Sequence, residues 1–181
     1  MRRLAVLIAA AGAMLASGQA LAQQAPAAQG QGQRPPVEQT RNGDWVVSCV
    51  ADPQSGKKAC EMQQMILRKD TQQPFMSLAI GYIPNDPQPR MRVVAFFEPF
   101  AIVVREGLTV QIDNGSPTRM AFDVCGKQGC DVLMPLDNGT VNSMKRGSGG
   151  TVSVLFANGQ RANVPFSLTG FTKSFDSVPR V

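Results

Sequence analysis

Histidine is missing from all 181 residues. Its absence removes the Ser-His-Asp and Cys-His catalytic arrangements and most transition-metal sites, which depend on imidazole. No glycine-rich loop runs into a Lys-Ser or Lys-Thr pair, so a phosphate-cradling loop is absent too; Gly149-Gly150 has no such partner. Cys-x-x-Cys spacing is absent, which argues against a tuned redox thiolate. Basic residues are scattered (Arg68-Lys69, Arg90, Arg92, Arg105, Arg119, Lys145-Arg146, Arg161) and form no dense block of the kind that holds nucleic acid. After the first 22 residues, no apolar run is long enough to span a membrane.

What is present begins with a leader. Met1-Arg2-Arg3 is a short positive region, Leu4 to Leu15 is apolar except for Gly12, and Ala20-Leu21-Ala22 carries small residues where a signal peptidase reads. Residues 1–22 therefore read as a secretory signal peptide, cleaved before Gln23. Without Arg2 and Arg3 the chain keeps 16 basic and 13 acidic residues, a mild +3. Residues 23–40 are rich in Gln, Ala, Pro and Gly. They have almost nothing to bury and read as a flexible tether. Residues 41–181 are expected to form a single domain, large enough for a substantial core.

The domain is organised around Gly43-Asp44-Trp45-Val46-Val47-Ser48-Cys49, which holds the only Trp. Trp45, Val47 and Cys49 share one side at period two, as a half-buried strand requires. Asp52 to Gly56 is a turn, after which Cys60 to Arg68 returns as a second strand. Phe75 to Ile83 is a third, followed by the proline-rich loop Pro84 to Pro89. Met91 to Phe97 is apolar on both faces, the pattern of a strand covered on both sides. Ala101 to Val104 is a short β-branched run. Leu108, Val110 and Ile112 alternate with polar residues, and Asp113-Asn114-Gly115 is a hairpin signal. Met120, Phe122 and Val124 continue the alternation. Asp137 or Thr140 can cap a short helix that presents Val141 and Met144 inward and ends at Gly147. Thr151 to Phe156, a turn at Asn158-Gly159, and Arg161 to Leu168 form a second hairpin. Thr169 to Ser177 is a closing helix, since Leu168, Phe171 and Phe175 are spaced three and four apart. The whole reads as an all-β, mainly antiparallel fold: a β-sandwich or open barrel of short strands, with one or two short helices near the C-terminus.

Four cysteines after a signal peptide imply disulfides in an oxidising compartment. Of the three possible pairings, Cys49–Cys60 and Cys125–Cys130 each close a local loop flanked by strands. Spacings of ten and four intervening residues suit structural zinc poorly, and no metal or other cofactor is expected. Seven methionines remain after Met1 and Met14. They sit in strand alternation with Val and Phe, as core packing requires, and Met62 and Met65 point to opposite faces of one strand rather than to a shared copper ligand set.

The order Gly43-Asp44-Trp45-x-x-x-Cys49, Cys60-x-Met62-x-Gln64, Cys125…Cys130 and Ser167-Leu168-x-Gly170-Phe171 resembles the invasion-associated locus B family of alphaproteobacteria. The resemblance spans about residues 41 to 178. It implies an exported, disulfide-bonded, β-rich protein of the periplasm or outer envelope, in a family linked in one pathogenic genus to invasion of red blood cells. It brings no catalytic residues with it.

The expected function is therefore a non-enzymatic envelope binding module, its partner an unidentified envelope or host-surface component. Contact is expected at exposed loops: Lys57 and Lys58, Asn85 and Asp86, and Lys127. Two alternatives stand beside it. One is a histidine-free glycan hydrolase using carboxylates, with Glu98 and Glu106 as candidates. The other is a periplasmic assembly factor or chaperone.

Overall fold

The computed structural model describes residues 36–83, 86–96, 101–127 and 129–180. The expected signal peptide, Asn85 and Glu98 lie outside them. Eleven strands run in the order β1 (Val37–Asn42), β2 (Trp45–Ala51), β3 (Lys58–Leu67), β4 (Pro74–Tyr82), β5 (Pro89–Ala95), β6 (Leu108–Ile112), β7 (Thr118–Met120), β8 (Val124–Gly126), β9 (Gly129–Pro135), β10 (Gly149–Leu155) and β11 (Arg161–Ser167). Helix α1 (Asn138–Arg146) precedes β10, and helix α2 (Phe171–Ser177) follows β11. The strands form two sheets and no closed barrel: a seven-stranded sheet ordered β1-β2-β3-β4-β5-β9-β8 and a four-stranded sheet ordered β11-β10-β6-β7. Every pairing is antiparallel.

Period-two alternation fills the space between the sheets. Trp45 and Val47 of β2, Met62 of β3, Met76, Leu78 and Ile80 of β4, Met91 and Val93 of β5, and Val132 of β9 are buried together with Leu108, Val110, Val152, Val154, Val164 and Phe166 of the smaller sheet. Helix α1 starts at Asp137, whose carboxylate accepts from the Thr140 amide at 2.6 Å, satisfying one orphan N–H of the first turn. Its Val141 and Met144 are buried.

Four local expectations need correction. Strand β1 begins at Val37, inside the stretch read as tether; five of its six residues are exposed, so it carries no apolar alternation to reveal it. Residues 101–104 form no strand, only an isolated bridge between Ile102 and Phe156, followed by a 3-10 turn over Val104–Glu106. Met120 and Val124 do not share a strand: β7 ends at Met120 in the small sheet, and the chain crosses to the large sheet before β8. Finally, β5 is covered on one face only. Met91, Val93 and Ala95 are buried, whereas Arg92 is exposed and Val94 half-buried.

Candidate functional site

Motif residues converge where the chain closes on itself. The buried Trp45 donates its Nε1–H to the Ser167 carbonyl at 3.0 Å. Gln64, also buried, donates to the same carbonyl at 3.1 Å and accepts from the Ser167 amide at 2.9 Å. Asp44 N–H donates to the Thr169 carbonyl at 3.1 Å, and Asn42 Nδ2 to Ser174 Oγ at 3.3 Å. Trp45 meets Phe171 edge-on at 5.6 Å, and Phe171 stacks on Phe175 at the same distance. Gly43 and Gly170 both have positive φ, and a Cβ on Gly170 would strike the Asn42 carbonyl. These residues form a structural latch that ties the start of β2 to the end of β11.

The cysteines likewise serve the scaffold. Cys49 lies directly opposite Cys60 in the β2–β3 ladder, and Cys125 opposite Cys130 in β8–β9. Both pairs are disulfide-bonded, with Cα–Cα separations of 4.1 and 4.0 Å. Among the described residues there is no free cysteine and no group of three His, Cys, Asp or Glu side chains that could hold a metal. No helix among them is long and apolar enough to cross a membrane.

The expected contact loops do not come together. Lys57 and Lys58 sit at the β2–β3 turn, and Asp86 in the β4–β5 connection, at one end of the seven-stranded sheet. Lys127 sits at the β8–β9 tip, at the opposite end. Lys58 is paired with Glu38 at 2.6 Å, and Asp86 with Arg90 at 2.6 Å. The Gln88 amide and then the Arg90 guanidinium hold the Asp86 carboxyl below the usual carboxylate range. Glu106, the described member of the carboxylate pair, is engaged by Arg119 at 3.2 Å and by Arg105 at 3.8 Å.

Two hollows remain. One, about 540 Å³, opens between the β6–β7 hairpin and the β9–α1 junction; Val110, Ile112, Met120 and Met134 line it, with Ser116, Thr118 and Thr140 beside them. The other, about 630 Å³, is a trough on the outer face of the seven-stranded sheet. Its base is made of small residues of β4, namely Ser77, Ala79 and Gly81. The ladder register places three rows across it. One row runs Ser48, Glu61, Gly81, Arg90, Pro135; the next runs Val46, Gln63, Ala79, Arg92, Leu133; the third runs Met65, Ser77, Val94, Asp131, Val124. Of eight large apolar side chains exposed among the described residues, Val37, Val50, Met65, Val124 and Leu133 lie on this face, and Ile83 lines the trough. Contiguous apolar patches rimmed by polar residues mark interaction sites; here Val37 and Val50 are paired neighbours toward one edge of the sheet, and Val124 and Leu133 lie on the adjacent strands β8 and β9 toward the other. Sequence reasoning missed the face because Val94 and Phe96, the second apolar side of the stretch Met91 to Phe97, suggested a covering layer. The signal was present in that stripe, but its interpretation needed the sheet order.

The fold thus defines a class: a doubly disulfide-bonded, two-sheet β protein with no assembled catalytic set among the described residues. Within that class the chain belongs to the Invasion associated locus B (IalB) protein family, whose model matches residues 45–179. The chain is similar in fold to the crystal structure of invasion associated protein b from Bartonella henselae, with a TM-score of 0.65 and 20% identity over 77% of this chain and 92% of that one. No individually curated protein matches it. Family and disulfides are compatible with an exported protein.

Proposed function

We propose that this protein is an exported, non-enzymatic interaction module of the bacterial envelope, and that the outer face of the seven-stranded sheet is its contact surface. One observation carries the reading: five exposed large apolar side chains lie on one face of the seven-stranded sheet, around a small-residue trough at its centre. Removing apolar surface from water gains about 25 cal/mol per Å² before the costs of association, so exposed apolar side chains on one face favour a partner. Lys57, Lys58 and Asp86 border one end of the face and supply polar contacts at its rim.

Ala79→Arg tests this directly, because it fills the trough with a charged side chain and touches nothing in the core. Full-length chains, native and substituted, are expressed in the cell and crosslinked in the intact envelope. Adducts formed by the native protein and lost in the variant support the reading; unchanged adducts overturn the contact surface. Mass spectrometry of the recovered protein tests export: a mass beginning at Gln23, about 4 Da below the reduced chain, is expected for two disulfides. Release of product from purified glycan, abolished by Glu106→Gln, would replace the binding reading with the hydrolase.

A further inference from the structure

The trough face is self-complementary. Place a two-fold axis in the plane of the interface, along β4 and above Ala79 and Gly81. Every residue on the β3 side then faces the residue of the same row on the β5 side of a second copy. Glu61 meets Arg90, Gln63 meets Arg92, Met65 meets Val94, and two strands out Val46 meets Leu133. In these four pairs acid meets base, amide meets guanidinium, and apolar meets apolar; Ser48 faces Pro135, and Arg92 also holds Asp131 of its own chain. A random sheet face has no reason to match itself across its own central strand.

The individual groups suit that arrangement. Glu61 is exposed and has no ion-pair partner among the described residues. Arg90 uses Nε and one Nη on Asp86, which leaves a further guanidinium nitrogen with donors for a second acceptor. Ala79 and Gly81, on the axis, carry no bulk that would hold two sheets apart. Face-to-face sheets in proteins pack about 10 Å apart with strands aligned to within about 30°, which an axis along β4 provides. An isologous two-fold contact of this kind is also the commonest form of protein self-association.

We infer that the partner of this face is a second copy of the same chain, forming a two-fold dimer through the outer faces of the seven-stranded sheets. The inference rests on the contact surface proposed above and names its occupant. Sedimentation equilibrium of the purified mature chain is expected to show a concentration-dependent dimer. Glu61→Arg sets like charge against the second copy's Arg90 and is expected to weaken the dimer about tenfold or more. Adding Arg90→Glu in the same chain restores opposite charges in both rows and is expected to recover most of the affinity. Ala79→Cys, on the axis, is expected to be joined to its own copy by a short bis-maleimide crosslinker, since sheets about 10 Å apart are too far for a direct disulfide, whereas Gln39→Cys, at the sheet margin, is not. Near-ultraviolet dichroism of each variant reports that the fold is intact.

A native chain that remains monomeric at about 1 mM overturns the dimer, since any weaker self-affinity is negligible. Failure of the double variant to regain what Glu61→Arg loses overturns the proposed register. A monomeric native chain whose envelope adducts are still abolished by Ala79→Arg would overturn the second copy as occupant and leave the contact surface to a different protein. Loss of neither dimer nor adducts in Ala79→Arg would overturn both.

Discussion

At the scale of single residues, the latch separates glycines that matter from those that merely turn. Gly159 and Gly170 have nearly the same positive φ, 83° and 84°. A Cβ on Gly159 meets open space, whereas one on Gly170 runs into the Asn42 carbonyl. Gly159→Ala should therefore cost only the left-handed strain, about 1–2 kcal/mol. Gly170→Ala should cost clearly more in urea unfolding, because the β1–α2 contact has to shift. Equal costs would show that the close approach relaxes without penalty. Gln64→Leu removes two partners from the Ser167 backbone and leaves a partly buried amide unpaired; a loss of about 1–3 kcal/mol is expected. Asp113 is a different case. Its carboxylate, at the end of β6, accepts from the Ser148 hydroxyl at 2.9 Å and the Gly149 amide at 3.0 Å, with the Ser148 amide nearby. Those bonds hold its carboxyl below the usual range, the Ser148 hydroxyl most of all. A folded-state value below the unfolded one stabilises the fold above the unfolded pKa, and that contribution fades as pH falls through the folded value. Asp113→Asn should therefore be less stable than the native protein near neutrality, and the gap should close in acid below about pH 4. A gap independent of pH would mean that charge plays no part.

At the scale of elements, the two disulfides close loops of different length, with sequence separations of 11 and 5. Chain entropy alone gives about 3 kcal/mol for the first and about 2 kcal/mol for the second. The double substitution Cys49→Ala with Cys60→Ala should thus lower the unfolding free energy more than Cys125→Ala with Cys130→Ala. The second pair should instead show its effect locally, as faster hydrogen exchange in β8, an edge strand paired only with β9. The reverse order of stabilities would mean that loop entropy is not what the bridges contribute. These hairpins were legible in the sequence because turn residues and alternation agree there. So were β4, α1 with its Asp137 cap, and α2 with its Phe171 spacing. Elements became illegible where side chains carry no pattern, as in exposed β1, or where the pattern continues while the backbone changes sheet. Met120, Phe122 and Val124 alternate without punctuation, yet the crossing between sheets falls among them. The trough suffered the opposite error, for Val94 was visible as apolar but its neighbours across the sheet were not.

At the scale of the whole molecule, the described residues belong to one compact unit in which two sheets share a single core. The motif residues that mark the family in sequence, Gly43-Asp44-Trp45, Gln64 and Ser167 to Phe171, turn out to hold those sheets together, while the exposed face that could meet a partner carries no motif at all. That division explains why family and fold were readable and the proposed contact surface was not: packing fixes residue types tightly, whereas a docking face needs only shape and a charge pattern across strands. It also gives a global test, because Trp45 is the only tryptophan and is fully buried at the latch. Its fluorescence reports sheet docking, and far-ultraviolet dichroism reports the strands themselves. With Trp45 bonded to Ser167 and packed on Phe171, neither sheet can leave the other without exposing the shared core, so the two probes should give coincident urea transitions. A tryptophan shift at lower urea than the loss of strand signal would instead mean that the latch opens first, with the sheets surviving as separate units. In that event Gln64→Leu should widen the interval between the transitions, whereas in a single cooperative unit it moves both midpoints together by the same amount.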